Sequence, residues 1–104
     1  MAASDKRAAR PRASDYTKVF IKDRERLSRS GRYDMRRLKE AMLLVIANDG
    51  PLGAEWLDHP LKGEWADHRE CHIGGDFLLI YQLTGGANER VFFVRAGPHA
   101  ELFE

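Results

Sequence analysis

The sequence has little with which to cross-link itself: of its 104 residues only Cys71 is a cysteine. One thiol excludes an intramolecular disulfide and removes thiolate-rich zinc sites from consideration. It suits a reducing compartment, so the cytoplasm is the expected location. No apolar run approaches the ~20 residues that span a bilayer, and the N-terminus lacks the apolar stretch of a secretory signal. No membrane association is expected. Excess charge is also missing, since 17 Lys and Arg balance 16 Asp and Glu to a net +1. That balance conceals two unlike halves: residues 1 to 40 carry 13 basic and 6 acidic side chains, and residues 41 to 104 carry 4 and 10. A basic half suits a polyanion or an acidic partner.

What is present fits one small domain with one modest core. Residues 1 to 14 form a basic tail rich in Ala, Arg and Ser. Ser14 or Asp15 can cap a helix starting near Tyr16, whose apolar positions include Val19, Phe20 and Leu27 and which Ser30-Gly31 stops. Asp34 is the next cap, and Met35, Leu38, Met42, Val45 and Ile46 follow at helical spacing until Asn48-Asp49-Gly50-Pro51. Residues 50 to 63 hold two prolines and three glycines and read as an irregular connection. The period then changes to two. Trp65 to Ile73, Phe77 to Thr84 and Arg90 to Ala96 are strand candidates, joined by Gly74-Gly75-Asp76 and Gly85-Gly86-Ala87-Asn88. Phe77 to Tyr81 is apolar at successive positions and belongs at the centre of the sheet. The expected fold is α+β: two N-terminal helices on a small antiparallel sheet, with a short C-terminal helical turn.

All four histidines, His59, His68, His72 and His99, lie in the second half. Imidazole titrates nearest neutrality, so several converging on a cleft supply an acid and a base without a metal. In a strand through Asp67 to His72 the side chains of His68, Glu70 and His72 share one face, and Arg69 and Cys71 the other. Val91, Phe93 and Arg95 share a face by the same parity; should Arg95 lie on the open face, it meets His72 and the segment after Gly97-Pro98, where His99 opens a final helical turn. An Arg and His cluster is cationic, and its natural ligand is a phosphate. Plainer roles compete at each position: His68 as a surface residue, Arg95 paired with Glu89 or Asp76, Trp65 and Phe103 as packing, Cys71 as a small buried hydrophobe. No metal is expected, because His68 and His72 lie ~13 Å apart along a strand. A site of His59, His72, Asp76 and His99 is conceivable, but no spacing selects it.

The segments D-H-P-L-K-G-E-W (58 to 65), H-R-E-C-H (68 to 72), D-F-L-L-I-Y-Q-L (76 to 83) and R-A-G-P-H-A-E-L-F (95 to 103) together resemble the YafQ-type branch of the RelE-like toxins of bacterial toxin-antitoxin modules. The resemblance spans residues 15 to 104, and it implies a strand before the first helix, for which Ala8 to Ala13 is the candidate, Pro11 being tolerable only at an edge. It implies a cytoplasmic, ribosome-dependent endoribonuclease that cuts mRNA in the A site of the 70S ribosome, inhibits translation and needs no cofactor. It further implies a cognate antitoxin protein, in a hetero-oligomer that can bind operator DNA. The family's active-site pattern falls on His59, His72, Asp76, Arg95, His99 and Phe103. Phe77 stands where the best-known member has tryptophan, and Pro98 replaces a commoner polar residue.

Cleavage by the ribose 2'-hydroxyl requires a base, a cation at phosphorus and an acid for the leaving oxygen. For the 2'-hydroxyl cleavage that the resemblance implies, Arg95 is expected on the phosphate and His99 as the acid, with His72 or Asp76 as the base and His59 positioning or assisting, an order of roles that sequence does not fix; Phe103 and Phe77 can stack on a base. The basic helix surface, including Lys18, Lys22, Arg29, Arg36 and Arg37, is expected to dock on 16S rRNA phosphates or an acidic antitoxin stretch. The competing readings are a gyrase-directed toxin of the same fold, as in the ParE-like branch, and a degenerate module that only binds its antitoxin.

Overall fold

The structure, a computed structural model, describes residues 10 to 103. Among the described residues, besides three short 3-10 turns, are strand β1 (Ala13–Tyr16), helices α1 (Lys18–Ser30) and α2 (Met35–Ala47), strands β2 (His59–Pro60), β3 (Arg69–Gly74), β4 (Phe77–Thr84) and β5 (Arg90–Pro98), and a terminal helical turn α3 (His99–Leu102). They build the expected α+β fold, with the strands in the order β1-β5-β4-β3-β2.

Local signals account for the helices. Asp34 caps α2 by accepting from the Arg37 N–H, and Asn48 closes it in the left-handed region. Gly31 (φ 70°) ends α1, where an L side chain would be strained. The start of α1 differs from expectation. Neither Ser14 nor Asp15 is the cap, because both lie in β1 with Tyr16; Thr17 caps instead, accepting from the Phe20 N–H at 3.0 Å and donating to Val94 O at 2.8 Å. A partner 77 residues away thus decides where the helix begins.

The sheet is mixed rather than wholly antiparallel, because β1 adds to β5 in parallel while β2, β3, β4 and β5 pair antiparallel. Strand β1 begins at Ala13, later than the expected Ala8 to Ala13; residues 8 and 9 of that stretch lie outside the described residues. Arg12, read as part of a basic tail, anchors the strand. Its Nη1 donates to Val45 O, its Nε to Asn88 O and its backbone N–H to Ile46 O, so it satisfies carbonyls at the end of α2 as a cation there should.

Strand β4 is the central plank. Its Phe77, Leu79 and Tyr81 join Phe20, Leu27, Leu38, Met42, Trp56 and Phe93 in the core beneath the helices. Leu78 and Ile80 face the other way, into a small second core with Leu102, edged by Leu61, Trp65, Val94 and Phe103. The terminal turn therefore folds back over the helix-free face. Between Ile80 and Tyr81 the pairing with β5 slips by one residue: Tyr81 opposes Phe93, but Ile80 opposes Arg95. Val94 is the extra residue of this bulge, and Thr17 accounts for its carbonyl.

Candidate active site

The bulge corrects the strand parity of Arg95. Without it Arg95 would follow Phe93 into the helix-facing core; with it Arg95 opposes Ile80 and takes the other face. The same face receives His59 and Glu70, which oppose one another, and Glu70 in turn opposes Ile80. One row across four strands thus runs His59, Glu70, Ile80, Arg95. At ~4.8 Å per strand its ends stand ~14 Å apart. The next row holds His72, Leu78 and Gly97. Beyond it the turn at Asp76 meets α3, where Asp76 O accepts from the His99 N–H at 2.9 Å.

Glu70 is the centre of the first cluster. Its carboxylate is buried, and Oε2 lies 3.4 Å from His59 Nε2 and 3.3 Å from His72 Nε2. His59 Nδ1 is 2.7 Å from Leu57 O, so both ring nitrogens of His59 face oxygens. The two rings are 6.1 Å apart. Sequence reasoning placed Glu70 on the face of His72 but gave it no part in the site; the E-x-H spacing on a strand was the available signal.

A polar network behind the sheet fixes His59. Asp58 accepts from Tyr81 Oη at 2.6 Å and from Arg69 Nη2 at 3.0 Å. Burial first, and the Asp58 hydrogen bond second, hold the Tyr81 phenol above its ordinary range. Asp58 points into this network and its neighbour His59 emerges toward Glu70, as alternation requires. Cys71 is the buried hydrophobe expected, its thiol pushed up to about 12 mainly by burial.

Arg95 is not the free cation of a phosphate cluster. Its Nε and Nη2 donate to Asp23 Oδ2 and Oδ1 at 2.9 and 3.0 Å, a bidentate pair with a buried carboxylate of α1. Neither Glu89 nor Asp76 is its partner. Burial disfavours the Asp23 carboxylate, but bonds from Arg95, the Ala96 N–H and Arg26 outweigh it and hold the carboxyl below its usual range. Arg26 continues the chain to Glu101 at 2.9 Å. The tetrad Arg95, Asp23, Arg26, Glu101 is therefore neutral overall.

The remaining candidates separate. His99 is exposed, with its ring 4.9 Å from Phe103, which also meets the edge of Trp65 at 5.9 Å. Phe103 keeps part of its ring at the surface. Phe77 does not: only 4% exposed, it packs edge-on against Tyr33 under the helices and has no ring face for a base. Arg37 is likewise engaged, donating to Ile73 O at 2.7 Å and lying 4.1 Å over Trp56, so it is a packing cation and not a free phosphate contact. Lys18, Lys22, Arg29 and Arg36 are exposed. His68 stays outside the cluster, with Nδ1 3.2 Å from Ala66 O.

Residues 12–104 match the family described as "Bacterial toxin of type II toxin-antitoxin system, YafQ". The chain belongs to the YafQ toxin family. The mRNA interferase toxin YafQ of Escherichia coli (strain K12) is 40% identical over 89 residues, covering 86% of this chain and 92% of that toxin. The crystal structure of E. coli YafQ superposes with a TM-score of 0.79 at 39% identity, over 89% of this chain and 99% of that one. YafQ in its complex with DinJ gives 0.77 at 40% identity, over 89% and 99%. A metal-bound toxin from Helicobacter pylori gives 0.75 at 38% identity, over 88% and 98%.

The ligand-atom geometry on this face bears on the expectation of no metal. In this YafQ-family chain the ligand atoms of His59, Glu70 and His72 all lie within 4.8 Å of one another. Ligands at ~2.0–2.2 Å around a tetrahedral zinc stand roughly 3.3–3.6 Å apart, and the two Nε2 to Oε2 separations agree. The donor set fits a divalent transition metal. Glu70 stands where the looser sequence pattern had Asp76 and His99.

Proposed function

We propose that this chain is the toxin of a type II module and an endoribonuclease that cuts mRNA in the A site of the 70S ribosome, in the cytoplasm, without a metal. The observation that carries the reading is the Glu70-linked pair His59 and His72 on the same sheet face as Arg95. A gyrase-binding surface has no chemical use for two imidazoles on one buried carboxylate.

The ribose 2'-oxygen attacks phosphorus, the bond to the 5'-oxygen breaks, and the products are a 2',3'-cyclic phosphate and a free 5'-hydroxyl. His72, oriented by Glu70, takes the 2'-proton. His59, with both ring edges occupied, positions Glu70 and His72. His99, exposed at the start of α3, delivers the proton to the 5'-oxygen. Asp76 acts through its carbonyl, which fixes His99. Arg95 offers its remaining guanidinium edge to the phosphate. Phe103 stacks on a base.

The partner surface is the helical side. A groove of about 590 Å³ runs between α1 and α2, with the buried Leu38 and Met42 on its floor and Ile21, Arg24, Glu25, Arg36 and Lys39 around it, three basic side chains to one acidic. Apolar floor and basic rim suit an acidic amphipathic segment of a cognate antitoxin, as the DinJ–YafQ complex suggests. The resulting hetero-oligomer is the species expected at operator DNA. Lys18, Lys22 and Arg29 remain for 16S rRNA.

Induction of the toxin followed by primer-extension mapping tests the activity. Discrete cuts within translated codons are expected, and His99→Ala should abolish both cuts and growth arrest while leaving a folded protein; undiminished toxicity removes His99 from the mechanism. A second reading, in which the triad holds a metal, is favoured by its ligand spacing. Cleavage by purified toxin on translating ribosomes under a zinc-selective chelator separates the two: it persists if the acid and base are metal-free, and stops if a metal is required.

A further inference from the structure

The apolar stripe of α1 is interrupted by a carboxylate. Phe20 and Leu27 are fully buried, and between them Asp23 is 3% exposed. Burying a carboxylate adds little net stability even when it is well paired, because desolvation offsets most of the attraction. What such a group does supply is geometry. Asp23 accepts four hydrogen bonds: two from Arg95, one from the Ala96 N–H at 3.1 Å and one from Arg26 at 3.1 Å. It thereby holds the side chain of Arg95 and the backbone that follows it. Arg26 then reaches Glu101, two residues beyond His99 on α3.

We propose that Asp23 is a positioning residue for RNA cleavage, acting through Arg95. Free arginine side chains sample many rotamers, and a phosphate needs one. By taking the Nε and Nη2 edge of the guanidinium, Asp23 leaves the Nη1 edge, which has no partner among the described residues, as the one presented to the scissile phosphate. The pair also lowers the net charge at the face, so that RNA is held there by directed bonds rather than by a diffuse cation. The inference rests on Arg95 meeting the phosphate.

Asp23→Asn keeps the size and one acceptor for the Ala96 N–H but loses the charge and the bidentate geometry. The test uses the full chain with mRNA on translating ribosomes, and measures kcat and KM for Asp23→Asn, Arg95→Lys and the double variant. Misplacing a catalytic group by about 1 Å costs on the order of 100-fold. Asp23→Asn is therefore expected to lower kcat by about 10- to 100-fold, with KM within about threefold, and to add less than about threefold in the Arg95→Lys background. Circular dichroism checks the fold, and Asp23→Leu, which completes the apolar stripe, carries the same comparison if Asp23→Asn does not fold. Parent-like cleavage by the folded Asp23 variant, or an equal loss in both backgrounds, overturns the positioning role. Parent-like cleavage by Arg95→Lys instead overturns the phosphate role of Arg95 in the proposed function, and this inference with it.

Discussion

Glu70 and His72, two residues apart on β3, meet at 3.3 Å between Oε2 and Nε2 on the face of the sheet away from the long helices. The same oxygen serves His59. One buried carboxylate thus orients two imidazoles from different strands. Glu70→Gln keeps the volume and removes the charge, and is expected to reduce mRNA cleavage by about 10- to 100-fold, a common effect of losing the partner of an acid–base histidine. Single-turnover cleavage with a circular dichroism control checks this. A parent-like rate in the folded variant would show that Glu70 is structural only.

Behind that face, Tyr81 donates to Asp58 at 2.6 Å. Tyr81→Phe removes a hydrogen bond to a charged acceptor while Arg69 remains, so a loss of about 1.5–3 kcal/mol is expected. The urea midpoint should fall at an unchanged slope. A midpoint equal to the parent's would mean that Asp58 is held by Arg69 alone.

Phe77 tests the boundary between core and RNA surface. Its burial predicts that Phe77→Ala costs about 3–5 kcal/mol through a cavity, whereas Phe77→Leu costs far less and leaves RNA cleavage near that of the parent. Folded Phe77→Leu that has lost RNA affinity would return this residue to the binding surface.

Asp23 makes stability depend on acid. Its folded carboxyl lies below the ordinary range, so the unfolded chain takes up the proton first as pH falls. The stabilisation is fully present above about pH 4, the range of an unperturbed Asp, and is lost as pH drops through the lower folded value. Thermal midpoints between neutral and acid pH should fall more steeply for the parent than for Asp23→Asn. Parallel curves would show that the carboxylate adds no linked stability.

Much of the helical and hairpin punctuation was legible. Asp34 and Gly31 act within one turn of their own positions, and Gly74-Gly75-Asp76 turns the chain between two strands it directly joins, so neighbouring residues suffice to read them. The cap of α1 was not legible. Thr17 stands beside Ser14 and Asp15 with similar chemistry, and only the parallel pairing of Ala13–Tyr16 with β5 removes the other two. Phe77 and Arg37 misled for a related reason: an aromatic ring and a guanidinium each serve RNA or a core equally well, and the choice lies with Tyr33 and Trp56, far away in the chain.

By itself the sequence determined the α+β order of elements, the central place of Phe77 to Tyr81, and the shared face of Glu70 and His72. These follow from periods of 3.6 and 2 and from caps, all of which act over a few bonds. Tertiary structure alone decided the face of Arg95, through a one-residue slip at Val94, and its union with Asp23 across 72 positions. Strand register and long-range ion pairs depend on which surfaces meet, and no local pattern encodes that meeting.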